Sequence, residues 1–309
     1  MKLPKIPQYK VLPYDNSCFD KVKELFSMAF SGREIDEKSW EWQFYNNPCK
    51  NKAVTTLWDG DNLIALNGLS PAFCHLNGRK CISACSGTTM ARPDYPGVSI
   101  QLFRECEEGN SDVELIYGFP NKNSFPIAKF IGHHYVGDIC FWTIKPRRFD
   151  VSSNIYTITT FDKEEHGLLF MDLTERTDYL RDRNINYLNW RFVKKPFNNY
   201  SIVDYRKNGQ IQGYLVYNLY REDIEQHLQV IDIIATTDES FVKLMEYAIN
   251  EGCKKGVDIV KLWMSYSKYH ETLRNLGFDY GTHPFKCVFW DRDMDLSDCY
   301  FTMSDSDIF

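Results

Sequence analysis

Two tandem α/β halves, each a mixed and mostly antiparallel sheet flanked by helices, are the architecture that this 309-residue sequence predicts. Three observations carry that expectation. The chain is longer than an ordinary domain of roughly 100–200 residues. A Trp-x-Phe-x-x-x-Pro segment occurs twice, as Trp42–Pro48 and Trp190–Pro196, 148 positions apart. The hairpin and strand–helix patterns after each copy keep step with that spacing, as an internal duplication would. The halves fall at 1–150 and 151–309.

The elements read in the same order in both halves. Phe19, Val22, Phe26, Ala29 and Phe30 form an apolar stripe of helical period, closed by Gly32. The Trp-containing helix comes next. Ala53–Trp58, the turn pair Asp59-Gly60 and Leu63–Leu69 then read as a hairpin. Its counterpart is Tyr200–Tyr205, Asn208-Gly209 and Ile211–Val216. A third strand, Ile82–Met90, leads through a loop into a helix around Ser99–Glu108, then a strand at Val113–Tyr117 and a helix at Ser124–Ile131. In the second half Leu228–Ala235 is a strand, and Phe241, Leu244, Met245, Ala248 and Ile249 share one helical face. A strand at Ile259–Met264 and a helix at Tyr269–Leu276 complete it. Helices, a hairpin, then strand–helix–strand–helix make a mixed sheet in each half.

Composition narrows the function. With 43% hydrophobic and 15% aromatic residues, the chain has material for real cores, which excludes a wholly disordered protein. The net charge is −6 and the Lys and Arg residues are scattered, so no nucleic-acid footprint is present. No apolar run reaches the roughly 18 residues of a membrane span. Pro4 and Pro7 stand where a signal peptide needs an apolar stretch. Ten cysteines without a C-x-x-C pair are expected as free thiols in a reducing compartment, with no metal site. A cytoplasmic chain is the expectation.

The element order, together with Gly118-Phe-Pro-Asn121 after a strand and Asn121-x-x-Ser124-x-x-x-Ala128-x-x-x-Gly132-His133 in the next helix, resembles the GNAT acyltransferase superfamily. The tandem form is similar to bacterial GNAT proteins of surface-polysaccharide (lipopolysaccharide O-antigen) synthesis. The resemblance implies acyl-CoA as co-substrate and an N-acyl transfer. The acceptor would be the amine of a nucleotide-linked amino sugar such as a dTDP-amino-dideoxyhexose. The acyl group would be acetyl or a longer one such as 3-hydroxybutanoyl. It also implies a strand–loop–helix that cradles the coenzyme pyrophosphate, and a splayed following strand that leaves a gap for the pantetheine arm. Backbone amides near Met90 and Ala91 would polarise the thioester. Arg92, Pro96, Gly97, Val98 and Ser99 would form the pyrophosphate loop, with Asn121 and Ser124 opening the later helix. Two phosphates need unpaired backbone N–H groups at a helix start and a small residue for close approach, which this stretch can supply.

Two departures are visible. The family's loop pattern, roughly R/Q-x-x-G-x-G/A, reads Pro96-Gly97-Val98-Ser99 here, and the family's frequent Tyr acid falls at Ala128. The matching stretch of the second half, Ala235–Ser240, has no glycine and carries Asp238 and Glu239. That half is expected to complete the acceptor site rather than bind coenzyme A. Related tandem enzymes can use the chain's terminal carboxylate as a base, so Phe309, Asp305 and Asp307 are the catalytic candidates. Trp142, Trp190 and Arg191 are candidates to stack a base or sugar and pair a diphosphate. Two alternatives stay open: a non-catalytic tandem-GNAT binding module, which the altered loop favours, and a Fem-like aminoacyltransferase, which the acidic charge disfavours.

Overall fold

A computed structural model describes residues 9–14, 16–49, 54–150, 154–197, 199–281 and 285–306. The chain folds into two compact units that do not divide at residue 150. Unit 1 comprises Met1–Ala72, Ile82–Tyr135 and Val288–Arg292, and unit 2 comprises Phe73–Cys81, Val136–Cys287 and Asp293–Phe309. Each unit thus takes a segment from the other half of the sequence. Strand partners are chosen by edge complementarity over long separations, which no local periodicity encodes.

Unit 1 runs Lys10–Pro13 (β1), Phe19–Ala29 (α1), Glu37–Phe44 (α2), Val54–Asp59 (β2), Asn62–Leu76 (β3), Arg79–Ala91 (β4), Val98–Gly109 (α3), Leu115–Gly118 (β5) and Phe125–Phe130 (α4). Its strands lie in the order β1-β2-β3-β4-β5. The β1/β2 and β2/β3 pairs are antiparallel and the β4/β5 pair is parallel. Of the stripe read from the sequence, Phe19 and Val22 are buried in one core cluster with Trp40, Trp58, Leu63, Leu66 and Met90, while Phe26, Ala29 and Phe30 are half-buried against it. Leu25 of α1, outside the stripe as read, is also buried there. Asp36 starts α2 by accepting the Ser39 N–H at 2.7 Å, an N-cap bond. The repeated Phe44 explains a glycine. A Cβ on Gly68 would sit 2.4 Å from the Phe44 ring, so only glycine lets that ring lie on β3. Val98 and Leu102 of α3 pack with Leu57, Ile64 and Ala65 in a separate cluster.

His134–Ile139 (β6) carries the chain into unit 2. There follow Trp142–Ile144 (β7), Ile155–Ile158 (β8), Met171–Thr174 (α5), Tyr179–Arg181 (β9), Ile185–Leu188 (α6), Ser201–Lys207 (β10), Gln210–Glu222 (β11), Glu225–Ala235 (β12), Asp238–Lys255 (α7), Ile259–Leu262 (β13), His270–Asn275 (α8), Asp279–Tyr280 (β14), Phe285–Phe289 (β15) and Cys299–Tyr300 (β16). A seven-stranded mixed sheet has the order β14-β7-β13-β12-β11-β10-β8. The apolar face of α7, from Phe241 to Ile249, is wholly buried. Two strands change halves. β7, drawn from before residue 150, pairs β13 in this sheet, while Val288 and Phe289 of β15 pair Gly118 and Tyr117 of β5 in unit 1.

The duplication is written into the backbone as well as the sequence. The β2/β3 ladder shifts register at Leu57/Trp58 and the β10/β11 ladder at Tyr205/Arg206, again 148 positions apart. The parallel ladders also correspond, Ser83–Ser86 on Leu115–Gly118 and His227–Val230 on Ile259–Leu262.

Candidate site: a wedge between two parallel strands of unit 1

The β4/β5 ladder ends at Ser86↔Gly118, yet β4 continues to Ala91. Beyond Ser86 the two strands share no register, so β4 presents backbone groups along a wedge. Inside this stretch Thr88 has φ 47°, a left-handed conformation that non-glycine residues rarely adopt. Such a residue kinks the strand and re-aims its neighbours, as a β-bulge does. Ser86 and Thr89 show the result. Three positions apart, they would face opposite sides of a regular strand. Both hydroxyls instead donate to Asn67 Oδ1, at 3.3 and 2.9 Å.

Asn67 lies outside every motif that the sequence offers for the site. It is fully buried on β3, and its Nδ2 donates to Cys106 Sγ at 3.2 Å. Burial first of all pushes the Cys106 thiol up to about 11, which keeps it protonated at neutral pH. The signal that could have found the cluster was a lone asparagine inside the apolar run Leu63–Leu69. A buried amide must be hydrogen-bonded, so an Asn in such a run implies polar partners nearby.

The Arg92 N–H donates to Ile64 O on β3 at 2.8 Å. Backbone N–H groups alternate in direction along a strand, so the Met90 N–H points toward β3 and the Ala91 N–H toward the wedge. The loop 92–97 then enters α3 through Gly97, whose φ of 82° suits glycine and whose position has no side-chain cap. Of the expected loop donors, Pro96 has no N–H and the Val98 N–H is taken by Tyr95 O at 3.3 Å. The Val98 side chain is buried in the core. Gly97 and Ser99 keep first-turn amides at the open end of the helix, where four N–H groups lack intrahelical partners. Arg92 reaches Asp94 at 3.3 Å and Glu24 at 3.5 Å.

Asn121 and Ser124 have a local role. Asn121 Oδ1 accepts the Asn123 and Ser124 N–H groups at 2.9 and 3.1 Å, fixing the turn into α4. Ala128 is buried and offers no proton donor. His133 stacks on Trp290 with centroids 4.6 Å apart and meets Phe103 edge-on. Burial, and then the neighbouring His134, push its pKa down to about 4, so it is a neutral core ring at pH 7.

In unit 2 the remaining expected residues are packed inside. Asp305 is fully buried, and its Oδ2 accepts from Arg183 Nη2 at 2.8 Å and from the Thr302 N–H at 2.9 Å. The carboxylate expected as a base is thus engaged in a buried ion pair. Trp142 is completely buried, with Tyr280 at 4.7 Å and its indole N–H on Met264 O. Trp190 is buried beside Tyr187, and Arg191 bonds Ser304 O at 3.3 Å and Tyr200 Oη at 3.4 Å. These three build the core of the unit and present no open face to a ligand. Asp307 and Phe309 lie outside the described residues.

No protein-family model and no curated protein sequence matches this chain. Solved structures do. A GCN5-related N-acetyltransferase from Anabaena variabilis superposes with a TM-score of 0.72 at 12% identity, covering 91% of this chain and 72% of that one. A conserved protein from Enterococcus faecalis, described as a probable N-acyltransferase, gives 0.69 at 15% identity over 94% and 74% of the two chains. A GCN5-related N-acetyltransferase from Kribbella flavida gives 0.65 at 14% identity over 93% and 71%. The chain therefore has the GNAT fold in its two-domain, tandem form. None of its described helices is long and apolar enough to cross a membrane.

Proposed function

We propose that this chain is an acyl-CoA-dependent N-acyltransferase whose donor site is the unit 1 wedge. The observation that carries this reading is the combination of a β4 strand that outruns its parallel ladder with β5 and a helix start that lacks a side-chain cap. The gap beyond the ladder suits an extended pantetheine arm, which bears amides that can pair with a strand. The amides of Gly97 and Ser99, with the Ser99 hydroxyl, suit a pyrophosphate, and Arg92 lies at the same loop. The Ala91 N–H is aimed to polarise a thioester carbonyl, a backbone donor of the oxyanion-hole kind. Ala128 supplies no acid, and a thiol of pKa near 8.5 leaves without one.

The acceptor we propose is the amine of a nucleotide-linked amino sugar of surface-polysaccharide synthesis, with Asp307 or the Phe309 carboxylate as the candidate base. Support for this finer reading is the resemblance of the Gly118–Asn121 and Asn121–His133 segments to that class of tandem enzymes.

The test has two stages. Coenzyme A should raise the melting temperature of the full chain, and Gly97→Glu should remove that protection by blocking the turn and repelling the pyrophosphate. Protection that survives Gly97→Glu would move the donor site elsewhere. Mass spectrometry of reactions with acyl-CoAs and a panel of nucleotide-linked amino sugars then tests the acceptor. Coenzyme binding without turnover on any of them would leave the donor site standing and sink the amino-sugar assignment.

A further inference from the structure

Unit 2 holds a cleft of about 440 Å³, within the roughly 300–1,000 Å³ of small-molecule sites. Three neighbouring strands build its floor. Asn218 of β11 pairs Gln229 of β12, and Gln229 pairs Lys261 of β13, so the three side chains form one row across the sheet. Adjacent strands lie about 4.8 Å apart, so the row spans roughly 10 Å. Tyr220 and Glu222, two and four positions beyond Asn218, share its face and also line the cleft. The row sits on the part of β12 that is still paired with β13, away from the stretch beyond Val230 where the strands part. It is therefore not the second unit's version of the acyl-donor wedge.

The polar groups of the row are costly without a ligand. Lys261 and Gln229 are 6% and 3% exposed. Asn218 Oδ1 is buried and has no hydrogen-bond partner among the described residues. An orphaned buried acceptor costs about 1–3 kcal/mol and calls for an explanation in a folded protein. The Lys261 charge is already balanced by Glu222 at 2.9 Å, and its ammonium lies 4.7 Å from the Phe141 ring centroid. The floor thus offers an acceptor, an amide that both donates and accepts, and a neutralised donor. Its rim carries exposed rings, Phe197 at 76% and Tyr220 at 48%.

We propose that this cleft binds a neutral, hydroxyl-rich ligand, a mono- or disaccharide. A hydroxyl both donates and accepts, so a ring of hydroxyls can satisfy Asn218 Oδ1, Gln229 and Lys261 in turn. The C–H face of a sugar ring suits an aromatic rim with one apolar side and one wet side. A phosphate fits poorly, because Glu222 already occupies the Lys261 ammonium and would repel it. The other cation of the lining, Lys195, donates to Tyr200 Oη at 2.9 Å and is the residue an anion would have to recruit. The inference stands on the cleft alone and does not depend on the donor site.

The experiment is ligand-observed saturation-transfer NMR and calorimetry on the full chain, with glucose, N-acetylglucosamine and maltose as neutral probes and UMP as the anionic one. At least one neutral sugar should bind saturably. Asn218→Leu and Gln229→Leu should each weaken it by tenfold or more, and Gln229→Glu, which keeps the shape, should weaken it as well. Asn218→Leu should melt no lower than the parent, because it removes an unsatisfied acceptor. The idea fails if no neutral sugar saturates, if both leucine variants bind like the parent, or if UMP binds tighter than every sugar and loses that binding in Lys195→Gln. Coenzyme A titrated alone reads the donor site separately, so the two proposals fail independently.

Discussion

In both units a strand runs past its parallel neighbour, and the two wedges differ in what stands in them. In unit 1 the ladder stops at Ser86↔Gly118, and the polar cluster of Asn67, Ser86 and Thr89 gathers there. In unit 2 it stops at Val230↔Leu262, and the chain's own segment 300–305 enters the gap. Tyr300 Oη donates to Ile233 O, the Phe301 N–H to Ser265 Oγ, and the Thr302 and Ser304 hydroxyls to Asp232. Arg183 bridges Asp232 and Asp305 from beneath, fully buried. The following helices differ in the same sense. Six residues separate β4 from α3, which starts uncapped, whereas two separate β12 from α7. Thr237 caps α7 by accepting the Ser240 N–H at 3.1 Å, with Asp238 and Glu239 in its first turn. A duplicated backbone can thus leave a polar cluster where its strands part in one copy and fill the same place with its own C-terminal segment in the other.

The largest expected effect breaks the filled wedge. Arg183→Met leaves Asp232 buried without its cation and Asp305 with only the longer Arg181 contact at 3.9 Å, which should cost about 3–5 kcal/mol in urea denaturation. A loss below about 1 kcal/mol would show that the C-terminal segment is not a structural plug. A paired test of the helix starts comes next. Thr237→Ala should cost about 1 kcal/mol through the lost cap. Gly97→Ala should cost about 1–2 kcal/mol through the left-handed backbone. Only the second should weaken coenzyme A binding, and equal losses of affinity in calorimetry would erase the contrast between the copies.

The smallest effect at neutral pH is at His133, where the first unit has an imidazole and the second has Phe278. Its folded pKa of about 4 lies below the ordinary 6.5, so the unfolded chain binds the extra proton between those values. Stability from this group is complete above pH 6.5 and is lost as the pH falls toward 4. His133→Phe should flatten that part of the stability profile while changing little at pH 7. An unchanged acid limb would mean that other groups carry it.

By itself the sequence determined the duplicated α/β architecture, because local patterns encode it. The start of the Phe19–Phe30 stripe and the α7 face became core, and the rest of the stripe packs half-buried against it. Asn208-Gly209 made its tight turn with both residues at positive φ. The strand–loop–helix at Met90–Ser99 was also legible, since Pro, Gly and the onset of helical period mark it within ten residues. The tertiary structure alone decided which strands pair. Nothing in Trp142–Ile144 or Phe285–Phe289 says which sheet they join, because pairing partners lie more than a hundred residues away. It also decided the fate of the charged and aromatic candidates. Asp305, Arg191 and Trp142 have the chemistry of a site, and all three are buried. Residue type gives a side chain's chemistry, but whether water and ligand can reach it depends on what the rest of the chain places around it.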